Sequence, residues 1–362
     1  MTFNPNKPYN DLPLLPPQVD IDTKAVLKKA IAANRALAEL KGASRLLPNQ
    51  NILINTLALE EARDSSAIEN IVTTCDKLFR ALAIDPRKID STTKEVLNYR
   101  KALWLGFSEV QKKGFISANI ITEIQKELIF NNAGIRKLSG TVLENELTKE
   151  IIYTPPLGES VIRSLLKNLE DYLNSDSNDD PLIKMAVIHY QFESIHPFYD
   201  GNGRTGRIIN VLYLAMNNLI DLPILYLSGY IIKNKNNYYN YLREVTYKRN
   251  WEDWILYMLD AVEVTATETT KKVNKIKTLI DETVQEVQSK LPKIYSKELI
   301  ELIFHQVYCN INFLVENKIA LRKTASKYLN ALVSIDILKP EKIGKEVIFL
   351  NRKLYKLFKD RK

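Results

Sequence analysis

The sequence of 362 residues is poor in cysteine, glycine and histidine, with two, 11 and three of them. The two cysteines, Cys75 and Cys309, lie far apart, which is typical of a protein from a reducing cytoplasm and not of a disulfide-stabilised one. Without a cluster of cysteines and histidines, a zinc site is excluded. Scarce glycine, together with long apolar segments of helical periodicity, predicts a mainly α-helical protein.

The sequence also has no run of about twenty apolar residues that would span a membrane. Its first twenty residues are polar and rich in proline, so we expect no signal peptide and a cytoplasmic protein. The formal net charge of +8 is unevenly distributed. Residues 318–362 contain thirteen lysines and arginines against four acidic residues, so the positive charge is a property of the C-terminal region.

The most informative segment is residues 196–207, HPFYDGNGRTGR. His196 titrates near neutrality and can accept a proton. Asp200 offers a hard oxygen ligand that suits Mg²⁺. Arg204 and Arg207 present planar donors that match phosphate oxygens, and the glycines let main-chain N–H groups approach an anion closely. The segment therefore predicts a site for a magnesium-bound polyphosphate beside a general base.

A helix is predicted after the glycines, because residues 208–219 are apolar at helical spacing, and its N-terminus would favour an anion. The glycines also fit the G-x-G-x-x-G pattern of dinucleotide-binding folds, which requires a preceding strand. Residues 182–194 are too long for a strand and follow an Asp-Pro start that is typical of a helix. We therefore disfavour a dinucleotide fold, and likewise a merely basic surface turn. His189, within this predicted helix, is expected to be a core residue.

Residues 196–207 resemble the signature of the Fic family, H-P-F-x-[D/E]-G-N-G-R-x-x-R, at every defining position. The resemblance implies a protein adenylyltransferase, which transfers AMP from ATP to a protein hydroxyl and releases pyrophosphate. It implies that His196 is the catalytic base and that Asp200 holds Mg²⁺. One branch of the family acts as a kinase and has lysine at the position of Gly203, so Gly203 favours nucleotidyl transfer.

The resemblance also implies the ATP contacts. Asn202 and the glycine amides would cradle the phosphates, Arg204 and Arg207 would bind the β- and γ-phosphates, and Phe198 would anchor the loop. A tyrosine pair on a helix is by itself typical of a core, but family members use such a pair in the adenine pocket. The predicted ATP-binding residues are Gly201, Asn202, Gly203, Arg204, Thr205, Gly206, Arg207, Tyr238 and Tyr239.

A second segment contains Ser65 and Glu69, which share a face if the segment is helical. S-x-x-x-E is common, and most such glutamates are simply solvated. Beside the Fic signature, however, the segment resembles the family's inhibitory motif [S/T]-x-x-x-E-[G/N], completed by Asn70. The resemblance implies an autoinhibited class II member, in which Glu69 pairs with Arg207 and blocks productive binding of the γ-phosphate.

Two β-prone runs flank a polar turn between residues 140 and 156 and predict a hairpin. Family members have a flap hairpin here that aligns the target by strand addition. We predict flap contacts by Val142, Leu143 and Glu144, although a purely structural hairpin would have the same sequence.

Four parts are predicted along the chain. They are an N-terminal helical domain with the inhibitory motif (1–87), a helical Fic core with a β-hairpin flap (88–264), a helical linker (265–290) and a winged-helix domain (291–362). The winged-helix domain is predicted from an apolar helix over 296–308, a second helix over 324–332 and a hairpin over 339–349 with a central glycine.

The favoured function is an ATP- and Mg²⁺-dependent enzyme that adenylylates itself and other proteins with exposed hydroxyl groups, similar in architecture to SoFic-type bacterial members. One alternative is a regulator in which nucleotide gates DNA binding by the winged helix. Winged helices also bind proteins or form dimers, and only Arg322, Lys323 and Lys327 lie on or beside the presumed recognition helix. A second alternative is removal of AMP, with Glu69 aligning a water. A homodimer is an open alternative, and no membrane partner is expected.

Overall fold

A computed structural model describes residues 3–144, 148–344 and 346–359, which are mainly α-helical, as the sequence predicts. The helices are α1 Lys24–Ser44, α2 Asn51–Ile68, α3 Cys75–Ala81, α4 Ser91–Lys113, α5 Ala118–Ile129, α6 Glu159–Asn174, α7 Pro181–Ile195, α8 Asn202–Met216, α9 Ser228–Lys233, α10 Lys235–Lys248, α11 Trp251–Lys290, α12 Lys297–His305, α13 Ile311–Glu316, α14 Arg322–Ser334 and α15 Arg352–Lys359. The strands are β1 Leu143–Glu144, β2 Ile151–Tyr153, β3 Tyr308–Cys309, β4 Leu338–Ile343 and β5 Glu346–Asn351. None of the helices in these described ranges combines the length and apolar character needed to cross a membrane.

The chain divides into two compact units. The first consists of residues 1–38 and 98–266 and contains the predicted signature and flap, whereas the second consists of residues 39–97 and 267–362 and contains the predicted inhibitory motif and the C-terminal region. Helix α11 is uninterrupted over 40 residues, so the predicted linker is the C-terminal part of this helix.

Helix α7 forms the centre of the first unit, where it packs against α6 and α8. Almost all its side chains are buried, because the sequence is apolar on every face of the helix. Asp180 caps its start by accepting a hydrogen bond from the N–H of Leu182, and Pro181 occupies the first helical position. The six-residue loop between α7 and α8 places the predicted base beside the first turn of α8.

In the second unit, α2 packs against α3 and α12. The C-terminal region continues with α13, α14 and an antiparallel sheet in the order β3-β5-β4. Strands β4 and β5 form the predicted hairpin, in which Gly344 adopts a φ of 61°. The predicted helix over 296–308 is three residues too long, because Gln306 is extended and Tyr308 pairs with Leu350 of β5.

Candidate active site

His196 stands at the point where α7 ends. Its backbone is left-handed, with φ 48° and ψ 59°, and its N–H donates to the carbonyl of Phe192 at 3.0 Å. A left-handed conformation is uncommon for residues other than glycine and stops the helix at this residue. His196 itself is partly buried, whereas Tyr199 and Asp200 in the loop that follows are exposed.

The loop after His196 is held together by Asn202. Its Oδ1 accepts a hydrogen bond from the N–H of Phe198 at 2.8 Å, and its Nδ2 donates to the Phe198 carbonyl at 2.7 Å. Phe198 is completely buried, in the place expected of an anchor. Both polar atoms of the Asn202 side chain thus have a partner within the loop.

Two glycines of the signature are required by close packing. Gly201 has a φ of 79°, and a Cβ atom there would lie 2.7 Å from Cδ1 of Ile129. A Cβ atom on Gly206 would overlap with Oε1 of Glu193 and reach 3.0 Å from Cδ1 of Phe192. A side chain at either glycine would therefore require neighbouring side chains of α5 or α7 to shift.

The charged residues of the signature differ sharply in exposure. The side chain of Asp200 is 64% exposed, and its Oδ1 lies 3.6 Å from Nη2 of Arg204. Arg204 and Arg207 lie one turn apart in α8 and are only 1% and 3% exposed. Thr205, between them, is completely buried, and its N–H donates to the Gly201 carbonyl at 2.9 Å. Gly203 is partly exposed in the first turn.

The donor set suits magnesium better than a transition metal. Among the residues in the described ranges, no group of three or more His, Cys, Asp and Glu side chains is placed to enclose a metal ion. Mg²⁺ usually takes one or two protein carboxylates and completes its shell with water and substrate phosphates. The exposed carboxylate of Asp200, two residues before α8, fits that pattern.

The predicted tyrosine pair lies on α10, and its members have different environments. Tyr238 is 1% exposed and packs among Trp254, Tyr257 and His189, whereas Tyr239 is 46% exposed. The two rings meet edge to face at a centroid distance of 5.1 Å. Tyr239 is therefore the exposed ring of the pair, with Nζ of Lys235 5.9 Å from its centroid, and Tyr238 is a core residue.

The His189 side chain contacts residues of both α8 and α10. The sequence pattern predicted that His189 is buried but did not predict these contacts. Its Nε2 lies 2.8 Å from the Tyr238 hydroxyl, and its Nδ1 lies 3.1 Å from Nδ2 of Asn210. Burial, followed by the charge of Arg207, lowers the pKa of His189 to about 3. The imidazole is therefore neutral at physiological pH and serves as a packing and hydrogen-bonding group.

The predicted flap is a short antiparallel hairpin of β1 and β2, with Leu143 opposite Tyr153. Val142 and Leu143 are each 37% exposed, and Glu144 forms a 2.9 Å ion pair with Lys149. Residues 145–147 lie outside the described residues. The predicted flap residues thus lie on an accessible strand.

The predicted inhibitory motif covers the end of α2. Ser65 is buried in the helix, whereas Glu69 is the exposed residue that follows the last helical position. Asn70 is left-handed, with a φ of 62°, and the N–H of Ile71 donates to the Ser66 carbonyl at 3.0 Å. Glycine and asparagine adopt this conformation most readily, which agrees with the last position of the motif. Glu69 is the C-cap residue of α2, with φ −93° and ψ 20°, and follows Ser65 by four residues, about one helical turn.

Three family models match successive parts of the chain. The Fic/DOC family N-terminal model matches residues 27–108, the Fic/DOC family model matches residues 115–214, and the model of the C-terminal domain of SoFic-like protein adenylyltransferases matches residues 279–354. The chain belongs to the Fic/DOC family and has the architecture of its SoFic-like members. The resemblance carried by residues 196–207 is thereby confirmed.

Individual relatives agree with this assignment. The chain is 33% identical over 92 residues to an Aquifex aeolicus protein named as a probable protein adenylyltransferase, covering 25% of this chain and 26% of that one. It is 28% identical over 192 residues to the protein adenylyltransferase Fic of Aedes aegypti, covering 51% of this chain and 35% of that one. The chain thus spans about a quarter to a third of the length of these two relatives.

The fold has a counterpart among solved structures. A Fic family protein from Desulfovibrio desulfuricans superposes with a TM-score of 0.57 at 18% identity, over 93% of this chain and 98% of that one. At this level of identity the likeness establishes the fold, which is a helical Fic fold with a small β-hairpin.

Proposed function

We propose that this chain is a protein adenylyltransferase that transfers AMP from ATP to Ser, Thr or Tyr hydroxyls of target proteins and of itself. The observation that carries the proposal is the complete signature at the α7–α8 turn. It combines an imidazole at the end of a buried helix with two buried arginines on the first turns of the next helix. The relatives named as protein adenylyltransferases support the same activity.

In this proposal, His196 removes the proton from the acceptor hydroxyl as its oxygen attacks the α-phosphorus of ATP. The bond from the α-phosphorus to the bridging oxygen breaks, and pyrophosphate leaves. Arg204, Arg207 and the N–H groups at the start of α8 bind the phosphates and offset their charge. Asp200 would hold Mg²⁺, which supplies further positive charge against the phosphates.

The adenine is proposed to lie against Tyr239, because this is the exposed ring of the tyrosine pair. The target is proposed to add a strand to the flap at Val142, Leu143 and Glu144. Main-chain pairing accepts many sequences, so it suits an enzyme that modifies a hydroxyl in an extended segment.

We also propose that the activity is autoinhibited. The motif of Ser65, Glu69 and Asn70 is complete, and the left-handed Asn70 gives its last position a structural reason. Glu69 would compete with the γ-phosphate for Arg207, because a carboxylate and a phosphate accept the same two guanidinium donors. Removal of AMP, with Glu69 aligning a water, would use the same residue.

The C-terminal region supports a second candidate function. Its order of helices followed by the β4–β5 hairpin agrees with a winged helix, in which α14 would be the recognition helix. Lys323 and Lys327 on α14 are exposed, as is Arg322 at its start. DNA binding that is gated by the nucleotide, or a homodimer formed through this region, would use this face.

Incubation of purified protein with ATP labelled on the α-phosphate and Mg²⁺ tests the proposal. The Glu69→Gly variant should incorporate label into itself, and the His196→Ala change in that background should abolish the label. A salt titration of DNA binding on the full chain tests the second candidate. Loss of DNA affinity with rising salt supports it, whereas absent or salt-insensitive binding removes it.

A further inference from the structure

The flap is joined to the end of α7 by two side chains that bracket it in sequence. Arg136, seven residues before β1, donates from Nε to the His196 carbonyl at 2.7 Å and from Nη2 to the Ile195 carbonyl at 3.2 Å. Tyr153, the last residue of β2, donates its hydroxyl to the Ser194 carbonyl at 2.8 Å. Three successive carbonyls at the end of the helix therefore accept hydrogen bonds from residues at either end of the flap.

These contacts satisfy groups that would otherwise be costly to bury. The last carbonyls of a helix have no partner within it, and a buried guanidinium requires acceptors. Arg136 is 1% exposed, and burial lowers its pKa, although a guanidinium stays charged at neutral pH. Its positive charge at the helix C-terminus also complements the helix dipole. The arrangement is therefore an integral part of the helix end.

The same arginine also holds the far side of the flap. Its Nη2 donates to the Pro156 carbonyl at 2.5 Å, and its own N–H donates to the Pro197 carbonyl at 2.9 Å. Beside it, Ile135 forms an antiparallel bridge with Phe198. The segments that enter and leave the flap are thus both connected to residues 195–198.

We propose that Arg136 and Tyr153 are positioning residues that fix the flap relative to His196. This proposal rests on the proposed function, in which an acceptor strand pairs with the flap and presents its hydroxyl to the imidazole. A strand held by the flap has a defined distance to the base only if flap and base share a rigid support. The contacts to residues 194–196 provide that support, and neither side chain is required to touch ATP or the target.

If the proposal is correct, loss of these contacts should affect the rate of AMP transfer and the affinity for ATP differently. The two arginines proposed to bind the phosphates lie on α8 and take no part in the flap contacts described above. Loosening the flap should therefore lower the rate of AMP transfer and leave ATP affinity nearly unchanged. A purely structural role would instead lower stability without selectively lowering transfer.

Tyr153→Phe is the sharpest variant, because it removes one hydroxyl and preserves the ring. The matched control is Tyr213→Phe, since Tyr213 is also buried and lies near the end of α8, outside the flap. Both changes are made in the Glu69→Gly background. We expect Tyr153→Phe to lower the initial rate of self-labelling by about threefold to tenfold, with ATP affinity within about twofold, and Tyr213→Phe to change neither. Arg136→Lys keeps the charge but loses the fork of donors, and should lower the rate further.

Hydrogen exchange keeps the test independent of activity. In Tyr153→Phe, amides of residues 148–157 and 194–198 should exchange faster than in the parent, whereas Tyr213→Phe should leave these segments unchanged. Equal labelling rates and equal exchange in the two variants would overturn the proposal. If the Glu69→Gly parent takes up no label, the proposed function fails, and the exchange comparison still decides whether the flap is fixed in this way.

Discussion

Asn202 closes the signature loop on Phe198 by accepting from its N–H at 2.8 Å and donating to its carbonyl at 2.7 Å. Asn202 therefore stabilises the conformation of the loop that contains Asp200. Replacing it with alanine should lower the free energy of unfolding by about 1–3 kcal/mol, because two buried main-chain groups lose their partner. ATP affinity, measured by calorimetry, should fall as well. Asn217→Ala, which loses one contact to the Tyr213 carbonyl, should leave ATP affinity unchanged; equal losses in both variants would argue against the special role of Asn202.

The left-handed Asn70 allows a similar comparison at the inhibitory motif. Asn70→Gly should preserve the helix end, because glycine adopts a φ of 62° without strain. Asn70→Val should cost about 1–3 kcal/mol, since a β-branched residue is strongly disfavoured there. Because the proposed inhibition requires Glu69 to be held in place, self-labelling should increase in Asn70→Val and stay low in Asn70→Gly. Identical labelling of the two variants would contradict this.

Substitutions of Tyr238 and Tyr239 should have different effects on ATP binding and on the stability of the protein. Tyr239→Ala should weaken ATP binding by about tenfold with little effect on the melting temperature, because the exposed ring is proposed to face the adenine. Tyr238→Ala should destabilise the protein by about 3–5 kcal/mol, as expected of a large buried side chain. Thermal unfolding with and without ATP measures both effects. An unchanged ATP-dependent shift in Tyr239→Ala would place the adenine elsewhere.

His189 makes stability depend on pH. Its folded pKa of about 3 lies below the usual 6.5, so the unfolded chain binds a proton first as the pH falls. Its stabilising contribution is present above pH 6.5 and is lost progressively as the pH falls from 6.5 towards 3. Each pH unit in this window should cost up to about 1.4 kcal/mol. Urea unfolding at pH 7.5 and 5 should show a smaller loss for His189→Gln than for the unsubstituted protein; parallel losses would refute the assignment.

The features that could be predicted from the sequence are those encoded by local patterns. The signature around His196, the hairpin around Gly344 and the helical character of the chain are all carried by residues close together in sequence. The Arg136 contacts escaped prediction because their acceptors lie 20 and about 60 residues away and are main-chain carbonyls without a side-chain signal. The difference in burial between Tyr238 and Tyr239 likewise depends on which face of α10 meets Trp254, and two adjacent tyrosines do not encode that choice.

Incorporation of α-phosphate label is the most direct measurement of the central claim. With Mg²⁺ and ATP, Glu69→Gly should become labelled, whereas the doubly substituted Glu69→Gly/His196→Ala protein should still bind ATP and stay unlabelled. Label from ATP carrying its isotope on the γ-phosphate should not be retained in either protein, because pyrophosphate is released. Retention of the γ-label, or equal α-labelling with and without His196, would contradict the account.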